Sequence, residues 1–145
     1  MAKKKKQDSI ADNASKLAVS YQKIDVLPIA AKEGWEMLTP GQYLHIKDQV
    51  RQLVGFGIKR YESNLTIAPF GDFWELKDKG GTLGRKNVRV YFAFNSELNK
   101  IIVLHTYKKE DDGAAPPHIN LRLKNRYRLY LQGHYSKLLT YERGA

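Results

Sequence analysis

From Ile24 onward the apolar positions of this chain fall into a helical rhythm. Val26, Leu27, Ala30, Ala31, Trp35 and Leu38 recur at spacings of three and four residues. That stripe predicts a helix over about residues 27–38, with Pro28 in its first turn. Thr39-Pro40 then reads as an N-cap followed by proline at the first helical position, opening a second helix. Tyr43, Ile46, Val50, Leu53 and Val54 give it a buried face, and Gly55 and Gly57 end it. Residues 58–71 read as irregular, broken by Asn64, Pro69 and Gly71.

The rhythm then shortens to two. Phe-Trp-Glu-Leu-Lys (73–77) is a first strand, and Val88, Val90, Phe92 and Phe94 alternate with Arg89, Tyr91 and Ala93 in a second. In this second strand one face is core and the other presents a cation and a phenol. Residues 95–100 turn the chain into a third strand, 101–107, which is apolar on both faces and therefore central. Each strand ends beside a base, so one edge of a small sheet collects positive charge. The last element fits a strand through Ile119, Leu121 and Leu123. It also fits a helical face through Ile119, Leu123, Tyr127, Tyr130 and Leu131. Pro116-Pro117 and the length of the segment favour the helix.

A chain of 145 residues with 42% hydrophobic content suits one modest core. The expected organisation is a basic tail over 1–22, a domain over 23–133 and an extension over 134–145. The tail carries Lys3, Lys4, Lys5 and Lys6, a run that is more often solvated than functional. No run approaches bilayer-spanning length and the start has no signal-peptide core, so no membrane partner is expected and the cytoplasm is the default location. The absence of cysteine excludes disulfides and thiolate metal sites.

The formal charge of +10 favours phosphate backbones, an anionic membrane surface or an acidic protein. His45, His105, His118 and His134 show no metal-ligand spacing, and Gly80, Gly81 and Gly84 do not form a phosphate loop. No nucleophile elbow occurs. The expected metal and cofactor are therefore none. What remains is chemistry by cations and phenols. RNA can be cut in that way because its 2′-OH is a built-in nucleophile. The protein must align it, remove its proton, neutralise the phosphorane and protonate the leaving 5′-oxygen.

Phe-Trp-Glu-Leu-Lys, Arg-Val-Tyr-Phe-Ala-Phe, Ile-Val-Leu-His-Thr-Tyr-Lys-Lys and Pro-Pro-His-Ile-Asn-Leu-Arg-Leu-Lys-Asn-Arg-Tyr occur in that order. Together they resemble the RelE/ParE superfamily of toxin–antitoxin toxins, most of all its HigB-like, phage-derived branch, over about residues 25–131. The resemblance implies an α+β fold, with an N-terminal helical hairpin packed on a small antiparallel β-sheet and a C-terminal helix. It implies a type II toxin that acts as a metal-independent, ribosome-dependent mRNA endoribonuclease, a hydrolase in broad class. Its partners would be mRNA, the ribosome and a cognate antitoxin.

Carried over residue by residue, Arg89 matches an arginine that contacts the scissile phosphate. Lys108 and Lys109 match a basic pair where a transition-state cation sits, and His105 matches a motif histidine. These four are the expected catalytic residues. Lys77, Arg85, Lys86, Tyr91 and His118 are the expected RNA-binding residues. The chain departs from RelE itself in carrying Phe73 and Glu75 where lysines stand, so no lysine base can be copied from there. Its loop 78–87 is longer, and His118, Tyr127 and Tyr130 are the candidates for a C-terminal proton-transfer residue. Two other readings stay open: a ParE-like toxin that inhibits gyrase, and a non-catalytic basic module that binds RNA or protein.

Overall fold

The computed structural model describes residues 23–54, 65–109 and 116–142. The chain runs through β1 (Lys23–Val26), α1 (Pro28–Met37), α2 (Pro40–Arg51), β2 (Thr66–Phe70), β3 (Phe73–Lys79), β4 (Asn87–Asn95), β5 (Lys100–Lys109), α3 (Pro117–Leu131) and β6 (Leu139–Glu142). A single 3-10 turn, Gly81–Leu83, interrupts the β3–β4 connection.

The helical hairpin follows from local chemistry. Pro28 sits at the start of α1, where its missing N–H costs no helical bond. The helix ends as Leu38 turns extended, its N–H still bonded to the Gly34 carbonyl at 3.1 Å. Thr39 then caps α2 in a reciprocal box: the Gln42 N–H donates to Thr39 Oγ1 at 3.3 Å, and the Thr39 N–H donates to Gln42 Oε1 at 3.1 Å. Two of the donors that this helix start leaves unpaired are thereby satisfied, and Pro40 brings none. Gly55 and Gly57, expected to end this helix, lie outside the described residues, as does the lysine tail.

The sheet has six strands in the order β2-β3-β4-β5-β1-β6. The fold is α+β as expected, but the small antiparallel sheet is a larger mixed one. β1 joins β5 in parallel, and β6 pairs antiparallel with β1. Residues 23–26, read as the approach to a helix, are thus a strand, and 139–142, read as part of an extension, close the sheet's far edge. Residues 66–70, read as irregular, form β2. It is an edge strand, which is where a proline such as Pro69 can be accommodated.

Helices cover both faces of the sheet. Val90, Val103 and Thr106 meet the α1–α2 hairpin on one face. On the other, α3 packs Tyr127 against Phe73 and reaches Asp25 through Tyr130. This layering buries β4 from Asn87 to Phe94 on both sides. The expected open face of that strand is therefore covered, and its cation and phenol sit inside the protein. A bulge at Tyr91/Phe92 pairs Tyr91 with His105 and Phe92 with Val103, leaving Leu104 as the extra residue.

Candidate functional site

Strand register assembles the site. Lys77 stands opposite Arg89, and Arg89 opposite Tyr107. One step further along, Asn87 stands between Lys79 and Lys109. Side chains alternate across a sheet, so both rows project on the same face, the one α3 partly covers. Thr66, Lys77, Asp78, Lys79 and Arg89 line a cleft of about 290 Å³ at this end of the sheet.

The carboxylate of Glu75 organises these cations. Lys77 Nζ lies 3.5 Å from Glu75 Oε1, and Arg89 Nε lies 3.8 Å from Oε2. Arg89 is only 8% exposed and also donates to the Asn87 side-chain oxygen. Its guanidinium is therefore aimed by two neighbours and lines the buried wall of the cleft. Tyr107, half-buried across from it, puts a phenol in the same row; sequence reasoning missed this residue. The signal was present, since Tyr107 falls two residues before Lys109 on one strand.

The basic pair does not act as a unit. Lys109 shares the face of Arg89, whereas Lys108 pairs in register with Val88 and belongs to the hairpin side, where it is exposed. Consecutive residues on a strand must part in this way. Tyr91 corrects a second expectation. It is fully buried, 4.8 Å from the Phe70 ring and stacked on His105 at 5.9 Å, so it is a core ring and no surface for bases. Burial, and next the Glu75 carboxylate, push its phenol well above the usual range. Lys86 turns away from the cleft and donates to Gln42 Oε1 at 2.6 Å. The Gln42 amide in turn donates to the Thr82 and Leu83 carbonyls, tying the long loop to α2. Arg85 is exposed on that loop, and His118 is exposed in the first turn of α3.

His105 belongs to a separate network. It is 2% exposed, on the stretch of β5 that runs past the end of β1. There Glu33 of α1 takes the place of a neighbouring strand, accepting the Thr106 N–H at 3.3 Å and sitting 2.8 Å from His105 Nδ1. Arg126 of α3 grips both oxygens of Glu33, at 2.8 and 2.9 Å, and donates to the Leu104 carbonyl at the bulge. Burial would raise the Glu33 carboxyl, but hydrogen bonds from His105 and Arg126 outweigh it and hold it down to about 2. For His105 burial is the largest influence and lowers its affinity for protons, despite Glu33. The ring is thus held toward its neutral form, with Nδ1 2.8 Å from Glu33 Oε1 and 3.1 Å from Arg126 Nη1. Its Nε2 lies 3.3 Å from Arg122 Nη1. This histidine orients structure; it is not poised over the cleft.

A second buried carboxylate, Asp25, ties down the far end. It accepts hydrogen bonds from Tyr130 at 2.6 Å, Thr140 at 2.8 Å and Lys100 at 3.1 Å. Burial alone would raise its pKa; those partners lower it instead.

Among the described residues no three His, Cys, Asp or Glu side chains gather as metal ligands, and no helix is long and apolar enough to cross a membrane. In comparisons with protein-family models, curated proteins and solved structures, the chain matches none. The reading of the site therefore stands on its own geometry.

Proposed function

We propose that this protein is a metal-independent endoribonuclease of the RelE/HigB kind: a type II toxin that cuts mRNA on the ribosome and is silenced by a cognate antitoxin. The observation that carries the reading is the gathering of Lys77, Arg89, Tyr107 and Lys109 on one face of the sheet, with Lys77 and Arg89 lining a cleft. A phosphodiester in that cleft would meet the Arg89 fork at its non-bridging oxygens, as the phosphorane charge develops. Lys109 and Lys77 add positive potential on either side, and Tyr107 offers a phenol within reach of the departing 5′-oxygen. The ion pair between Arg89 and Glu75 is long, at 3.8 Å, so a phosphate competes with it at modest cost.

Glu75 also favours a second reading, in which the cleft binds RNA without cutting it. A carboxylate shared by Arg89 and Lys77 reduces the charge available to a transition state. Induced expression in bacteria with mapping of mRNA 5′ ends separates the two. New in-frame ends that vanish with Arg89→Ala support the nuclease. Intact mRNA with normal growth supports the binding module, and growth arrest with intact mRNA points to a gyrase-directed toxin.

A further inference from the structure

In the proposed reading the cleft takes one phosphate, and the same face holds another guanidinium. Arg122 lies on α3, half-buried, with Nη1 3.3 Å from His105 Nε2. Its setting differs from that of its neighbours. Arg126 has both arms on Glu33, and Arg89 lies near Glu75. Among the described residues no carboxylate pairs with Arg122, and its hydrogen-bond partner is a neutral ring. A guanidinium held out of bulk water without a counter-charge is a standing attraction for an anion.

Its position follows from register. His105 and Tyr107 are two residues apart on β5, roughly 6.6 Å along a strand and on one face of the sheet. Arg89 stands across from Tyr107, and Arg122 stands over His105. The two guanidiniums therefore serve successive positions of the same face of β5, positions whose spacing along the strand is about that of one nucleotide step. We propose that Arg122 is a second phosphate ligand, holding the phosphate next to the one at Arg89 so that a single RNA strand crosses β5 from Lys109 toward α3. The Glu33–His105 pair positions it: Glu33 holds the imidazole at Nδ1, and the Nε2 edge aims the guanidinium. This assignment rests on the cleft being an RNA site and deepens that reading.

The test uses the full chain and a 2′-O-methylated trinucleotide, which no 2′-OH chemistry can cut, with a nucleoside monophosphate as the one-phosphate probe. Arg122→Gln is the informative variant, because it removes the charge while keeping a polar, helix-compatible side chain. Affinity for the trinucleotide is expected to fall about tenfold, with its salt slope reduced by about 0.7, the value for one lost contact on a single strand. Affinity for the monophosphate should hold, and Arg122→Lys should restore most of the slope. An unchanged trinucleotide affinity and slope in Arg122→Gln, with wild type binding, would overturn the second ligand and leave the cleft reading intact. No trinucleotide binding by the wild type would overturn both.

Discussion

Glu33 and Arg126 join the two helical layers through a two-pronged ion pair, Nη1 to Oε1 at 2.8 Å and Nη2 to Oε2 at 2.9 Å. It lies where β1 has ended and, among the described residues, the edge of β5 opposite β4 has no paired strand. The pair therefore does three jobs at once. It closes an open backbone edge, satisfies the bulge carbonyl of Leu104, and fixes the histidine that sits beside the cleft row.

Removing one partner leaves the other charge uncompensated in a largely dry setting. Arg126→Ala is expected to cost roughly 3 kcal/mol of unfolding free energy, measured by urea denaturation. Replacing Glu33 and Arg126 together by Gln and Met should cost less than the sum of the single changes, since neither charge is then stranded.

Acid should weaken the fold in a definite window. Glu33 and His105 both have folded pKa values below their ordinary ones, 4.5 and 6.5. The unfolded chain thus binds more protons than the native one, and stability falls as pH falls. The His105 contribution is present in full above 6.5 and declines below it. The Glu33 contribution is present above 4.5 and is lost as pH drops toward about 2. Melting temperature followed from pH 7.5 to 3 should decline throughout, and His105→Gln should flatten the upper part of that decline.

Asp25 offers an independent check on the far edge. Asp25→Ala strands Lys100 and releases the hydrogen bonds that dock α3 and β6, at an expected cost of roughly 2–4 kcal/mol. Amide hydrogen exchange should show β6 losing protection before β3 and β4 do, because β6 is an edge strand and Asp25 is one of its few anchors beyond its pairing with β1 and the seating of Tyr141 against α2.

Much of this fold was legible where local chemistry decides it. Thr39, Pro40 and Gln42 spell a capped helix start, and the alternation through Val88–Phe94 fixes which residues share a face. Register puts Arg89 and Lys109 on one face of the sheet, although that face is covered along β4 and not open as expected. What stayed hidden depends on partners far away. β1 and β6 are four-residue strands, too short for alternation to declare them; they exist because β1 pairs with β5 and β6 pairs with β1. Tyr91 shares a face with Arg89, yet nothing local reveals that α3 covers its end of that face. The bond between Glu33 and His105 spans 72 residues of sequence, beyond the reach of any motif.

The central claim is that Arg89 and its row form an RNA-cleaving site. The most direct measurement is primer extension on a defined mRNA with purified protein and translating ribosomes. Wild type is compared with Arg89→Lys and Lys109→Ala, with the fold of each variant checked by its melting temperature. The account predicts discrete cleavage by wild type, with each variant slowed roughly 100-fold or more while remaining folded. Cleavage that persists at the wild-type rate in both folded variants, or no cleavage by the wild type, would contradict it.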